Sequence, residues 1–171
     1  MANFDEAFDI MINHEGGYKL TDIKGDIGGI TYAGITRRSF PYWEGWKHID
    51  ENSQESELME ALVKILYKKE FWGKIKGDEI KLQKIANTIF DFSVNVGVVN
   101  AVKRIQSSMN IPDIDGIIGK QTLNQLNLLD SKFFCAVFAM EKIKHYVAIC
   151  NKNPTQNKFL LGWINRTIEM V

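Results

Sequence analysis

The chain has 171 residues, and its 21 Lys and Arg balance 21 Asp and Glu, so the formal net charge is zero. Hydrophobic residues make up 45% and aromatics 11%, enough for a substantial core, which excludes a disordered chain. Without a basic run the electrostatic footprint of a nucleic-acid binder is missing, and no apolar run approaches membrane-spanning length.

Asn3 is placed to cap a first helix, with Glu6 at capping-box spacing. Phe4, Phe8, Met11 and Ile12 form one apolar stripe, which Glu15 continues before Gly16-Gly17 ends the helix. Six of the 13 glycines fall between Gly16 and Gly34, and with Tyr18, Ile30, Thr31 and Tyr32 they predict a small β-hairpin. From Ser53, an N-cap candidate, the pattern turns helical, with Leu58, Ala61, Leu62, Ile65 and Leu66 on one face and Tyr67, Phe71 and Trp72 beyond. Further helices are predicted over about 80–96, stopping at Gly97, and over about 100–109. After the loop 110–119 a brief helix opens at Thr122, and Ser131 is placed to cap a long helix through Cys150. A polar break at 151–156 precedes a last helix around Trp163. The expected fold is mainly α, with one small β-hairpin after the first helix. Cys135 and Cys150 share one predicted helix at a separation of roughly 20 Å, so both are expected as buried free thiols.

Glu15 is the foremost candidate for chemistry. Partial burial beside the apolar stripe and the negative end of the helix dipole both favour its protonated form, which general-acid cleavage of a glycosidic bond requires. The glycine-rich stretch can fold back to present Asp26 as a second carboxylate and Thr31 as a hydroxyl. An inverting glycosidase needs two carboxyl groups about 6.5–9.5 Å apart with room for a water between them. Asp91 and Asn95, four apart, share a helix face, where they serve either as a cleft wall or as internal hydrogen-bonding partners. In the loop 41–47, Trp43 and Trp46 are candidate sugar platforms. The residues Asp115 to Gly119 and Thr122 read as a turn and a cap. His14, His48 and His145 lack metal-ligand spacing, so neither a metal nor another cofactor is expected.

The ordered motifs Glu15-Gly16-Gly17-Tyr18, Asp26-Ile27-Gly28-Gly29-Ile30-Thr31 and Gly34-Ile35-Thr36 resemble the signature of glycoside hydrolase family 108, the N-acetylmuramidases. They are similar, more distantly, to phage-type lysozymes. Asp91 to Gly97 resembles the family's helix ending in Asn-x-Gly. Ile105-Gln106 and Asp115 to Gly119 with Thr122-Leu123 resemble its peptidoglycan-binding half, and Gly162 to Arg166 resembles its closing helix. The resemblance implies a lysozyme-like fold, a catalytic half over 1–88 and a peptidoglycan-binding half over 89–171, packed as one unit. It implies cleavage of the β-1,4 bond between N-acetylmuramic acid and N-acetylglucosamine, with Glu15 as acid and Asp26 and Thr31 at the water. Asp22 is the alternative second carboxylate, because the loop after Tyr18 is about two residues longer than the family pattern. Tyr18, Tyr32, Thr36, Asp91 and Asn95 are expected to bind substrate. Bacterial glycan strands are the expected partner of a monomer, made in the cytoplasm without a visible secretory signal and acting on the wall after release. A lytic transglycosylase and a non-catalytic wall-binding protein are the rival readings.

Overall fold

The computed structural model describes residues 1–21 and 29–171. Helix α1, Phe4–His14, is held at both ends. Asn3 Oδ1 accepts from the Glu6 amide at 3.1 Å, as the capping spacing predicts. The reciprocal half of the box is not made. The Asn3 amide instead donates to Gln83 Oε1 at 2.6 Å, and Gln83 Nε2 returns a bond to Asn3 O at 2.9 Å, stitching the start of α1 to a distant helix. At the other end Gly17 N donates to Ile12 O and Gly16 N to Asn13 O, the paired bonds of a Schellman motif, with Gly16 and Gly17 at φ +85° and +79°. Glu15 is the C-cap residue of that motif, so its backbone is anchored by the helix end.

The chain then forms a three-stranded antiparallel sheet in the order β1 (Leu20–Thr21), β2 (Thr31–Tyr32), β3 (Ile35–Thr36). The expected hairpin is β2–β3, paired Tyr32 with Ile35 across the two-residue turn Ala33-Gly34. Both turn residues have positive φ, 50° and 78°, as a type I′ turn demands.

Helices α2 (Gly45–Asp50) and α3 (Ser56–Tyr67) follow. Glu55, with no side-chain bond, precedes α3, so Ser53 is not its cap. Past Tyr67 the chain runs on into a π-helical turn, Lys68–Trp72. Helix α4, Gln83–Val96, is the centre of the molecule: every residue from Ile85 to Ser93 is buried, and it packs against α1, α5 (Val98–Ser108) and α7 (Ser131–Lys152). Between α5 and α7 lies α6 (Lys120–Leu126), and the last helix, α8 (Asn157–Glu169), packs on α7. The cap of α7 is Asp130, whose carboxylate accepts from the Phe133 amide, and not Ser131. The Asp115-Gly116 turn is tied to Gln106, which donates to Asp115 Oδ1 and accepts from Gly116 N. One hydrophobic core runs without interruption from Phe4 to Tyr146, and Cys135 and Cys150 are buried free thiols. Among the described residues no helix is long and apolar enough to cross a membrane.

Candidate active site

Asp91 lies in the middle of α4 with 3% of its surface exposed, and a carboxylate that deeply buried has to be paired. Its partners come from both ends of the chain. Arg166 of α8 donates Nε to Asp91 Oδ2 at 3.0 Å and Nη2 to Oδ1 at 2.9 Å. His14, in the last turn of α1, adds Nδ1 to Oδ1 at 2.8 Å. Burial alone would push the Asp91 carboxyl up, but the bonds from His14 and Arg166 outweigh it and hold the carboxyl below its usual range. The same Asp91 bond pushes His14 up, and the second ring nitrogen meets Glu169 Oε2 at 3.1 Å.

The remaining guanidinium nitrogen of Arg166 is aimed at Glu15, with Nη1 to Oε1 at 3.0 Å. Glu15 therefore sits at the end of a chain of contacts that starts in the core: α4 holds Arg166 through Asp91, and Arg166 holds Glu15. The other carboxylate oxygen is pressed against the hairpin turn. A Cβ on Gly34 would lie 2.9 Å from Glu15 Oε2 and 2.6 Å from Tyr67 Oη, so only glycine fits there. Tyr67, at the end of α3, donates its hydroxyl to Ala33 O at 2.9 Å and pins the turn from below. Burial, followed by the charge of Glu15, pushes that hydroxyl well above the ordinary tyrosine range, so it stays a donor.

Gly34 and Tyr67 also line an open groove of about 590 Å³ that runs past Thr36, Phe40 and Glu70 to Asn100 at the start of α5. Glu70, in the π-helical turn, is paired with Lys74. The arrangement is a fixed carboxyl beside an open, mixed polar and apolar furrow, which suits proton delivery to a bound polyhydroxylated chain.

Residues 8–97 match the family model described as Glycosyl hydrolase 108. The chain belongs to the glycosyl hydrolase 108 family. Residues 100–168 match a second model, described as Predicted Peptidoglycan domain. Among solved structures, SagA of Brucella abortus is similar at 25% identity with a TM-score of 0.75, over 98% of this chain and 90% of that one. None of the curated proteins matches. The mainly α, lysozyme-like fold with a small sheet after α1 is thus the fold of this glycosyl hydrolase 108 chain. The two family matches support a glycoside hydrolase that acts on peptidoglycan.

Within the glycosyl hydrolase 108 segment, Asp26 and its alternative Asp22 lie outside the described residues. Thr31 is half-buried on β2, and its hydroxyl donates to Gly29 O at 3.3 Å. Of the five residues expected to bind substrate, Thr36 lines the groove, where its hydroxyl donates to Ser39 Oγ at 2.8 Å. Tyr18 is partly exposed after α1, its hydroxyl pushed up to about 12 by burial and by the charges of Glu60 and Asp9. Tyr32 is 8% exposed and stacks on Trp43 at 6.0 Å, which makes its ring part of the support under the hairpin. Of the two readings left open for Asp91 and Asn95, internal pairing fits their contacts. Asp91 is engaged by Arg166 and His14, and Asn95 Oδ1 accepts from Tyr146 Oη at 3.1 Å.

Trp43 and Trp46 are not sugar platforms. They are 9% and 4% exposed, stand edge to face at 5.0 Å, and donate their indole N–H groups to Leu62 O and Phe40 O. Sequence reasoning placed Tyr67 on an aromatic surface and Arg166 in a family motif but gave neither a role at the site, and it did not single out Glu70. For Arg166 a signal was present: a cationic side chain in the closing-helix motif, available to any buried carboxylate.

Proposed function

We propose that the chain is an N-acetylmuramidase that cleaves the β-1,4 bond between N-acetylmuramic acid and N-acetylglucosamine in bacterial glycan strands. Glu15 protonates the glycosidic oxygen, and a water held by Thr31 and a second carboxylate, Asp26 or else Asp22, attacks the anomeric carbon. The observation that carries this reading is the Glu15 carboxyl clamped between Arg166 and Gly34 beside an open groove. Arg166 Nη1 at 3.0 Å fixes the Glu15 carboxyl in place, so the acid needs no reorientation when a strand binds. Tyr67 and Gly34 keep the turn, and with it the groove wall, at a set distance from the acid.

In this reading residues 1–88 form the catalytic half and 89–171 the wall-binding half, joined in one monomer that acts on the wall after leaving the cytoplasm. No metal or other cofactor takes part. Glu15→Gln tests it: the amide still accepts from Arg166, so the fold should persist while turbidity loss on purified walls disappears. Full wall lysis by that variant would overturn the assignment. Mass spectrometry of products released by the unaltered protein should show reducing N-acetylmuramic acid ends. A 1,6-anhydro sugar would make it a lytic transglycosylase, and binding without released ends a wall-binding protein.

A further inference from the structure

The loop that buries Trp43 and Trp46 leaves a third aromatic outside. Tyr42 is 98% exposed, although Phe40 and Trp43, which flank the exposed Pro41-Tyr42 pair, are anchored. Phe40 packs edge-on against Phe71 at 6.1 Å and its carbonyl accepts the Trp46 indole N–H at 2.7 Å. Trp43 stacks on Tyr32 and donates to Leu62 O. With its flanks locked and Pro41 limiting the backbone before it, Tyr42 presents its ring from a fixed stem, at small entropy loss on binding. Isolated exposed aromatics are common, so exposure alone says little. The position of Tyr42 says more, because the residue lines a second cavity of about 510 Å³ that shares Ser39, Phe40 and Glu70 with the groove lined by Gly34 and Tyr67. The two cavities therefore adjoin.

We propose that Tyr42 and this second cavity form a distal sugar subsite that grips the same glycan strand; the proposal rests on the muramidase reading above. Besides Tyr42 its ionisable groups are Glu44, Glu70 and Lys69, and Glu70 lies within ion-pair distance of both Lys69 and Lys74, so the lining carries no strong field of either sign. Leu62, Ile65 and Tyr42 offer apolar surface to the C–H face of a pyranose, and the tyrosine hydroxyl keeps a polar edge for its hydroxyl groups.

The test uses the full chain carrying Glu15→Gln, so that fragments bind without turnover, with and without Tyr42→Ala. The probes are peptide-free glycan fragments of the wall, a tetrasaccharide and an octasaccharide, titrated calorimetrically. The octasaccharide should bind the Tyr42 protein about tenfold more tightly than the tetrasaccharide. Tyr42→Ala should remove that advantage and leave tetrasaccharide affinity and Tm unchanged, and Tyr42→Phe should retain most of it. Equal octasaccharide affinity with and without Tyr42, or no gain with length in the parent, overturns the subsite. Displacement of the octasaccharide by free stem peptide also overturns it, in favour of a peptide site. Failure of the muramidase reading is seen separately, as no reducing ends released from walls by the chain with Glu15 intact.

Discussion

Replacing Arg166 with Met keeps the bulk of the aliphatic stem and deletes the guanidinium, the group that joins α8 to both carboxylates. The magnitude follows from burial. The Asp91 side chain is 4% exposed and that of Arg166 14%, so the pair lies in the regime where removing one partner costs about 3–5 kcal/mol. His14 remains at 2.8 Å from Asp91 Oδ1, which argues for the lower end, about 3 kcal/mol. For a chain of this size that is a Tm loss of roughly 6–12 °C. Turnover should suffer beyond stability. With Glu15 released from its 3.0 Å contact, displacement of the acid by about 1 Å is enough for a loss of roughly 100-fold. Wall lysis is therefore measured well below the Tm of the variant, where circular dichroism shows it folded. Arg166→Lys should fall in between, because one ammonium cannot serve two carboxylates as a fork does. If Arg166→Met lost its stability yet lysed walls at the normal rate, Arg166 would be a structural group only. If its Tm stayed within about 2 °C of the parent, the burial argument itself would be wrong.

Gly34→Ala should be harmful twice over, since the positive φ of 78° costs about 1–2 kcal/mol and the new methyl drives into Tyr67 Oη and Glu15 Oε2. A lower Tm together with slower wall lysis is expected, and normal lysis would show that the turn does not position Glu15. Lys142, buried in α7 between Phe92 and Phe138 and donating to Thr88 Oγ1 at 2.7 Å, is brought down to about 8 chiefly by burial. Between pH 8 and its unfolded value near 10.5 the unfolded chain holds the extra proton, so this group makes stability rise with pH across that window. Lys142→Met should flatten the rise by about 2 kcal/mol between pH 8 and 10, measured by urea unfolding, and parallel curves would refute the assignment.

What could be read from the sequence was local. The stripe of α1 and the Gly16-Gly17 stop put Glu15 at the C-cap, because helical period and left-handed glycines are properties of adjacent residues. Helix α4 was legible in the spacing of Ile85, Ile89, Phe90 and Val94 and in its stop at Gly97 for the same reason. The third strand was not: Leu20 and Thr21 are both exposed and carry no alternation. Caps slipped where several candidates stood close together, with Asp130 in place of Ser131 before α7. Within Pro41-Tyr42-Trp43 the sequence offers two aromatics and no rule for which one turns outward, and the tryptophan expected at the surface is the buried one. Arg166 stands 151 positions from Glu15, and nothing in either neighbourhood announces the pairing.

That long-range pairing bears on how the two matched segments depend on each other. Glu15, His14 and Asp91 lie within residues 8–97, while Arg166 and Glu169 belong to α8 at the other end of the chain. Asp91 is buried by the packing of α4 against α5 and α7, so its carboxylate needs the guanidinium as soon as the fold closes. Stripped of α8, the first segment would hold a buried acid with the His14 imidazole as its remaining partner among the described residues, and Glu15 would lose its contact with Arg166. The groove beside Gly34 crosses the same boundary, since its far wall is Asn100 at the head of α5. The fixed acid and the furrow beside it are therefore products of the whole chain, and the segment that matches the peptidoglycan model takes part in building the site.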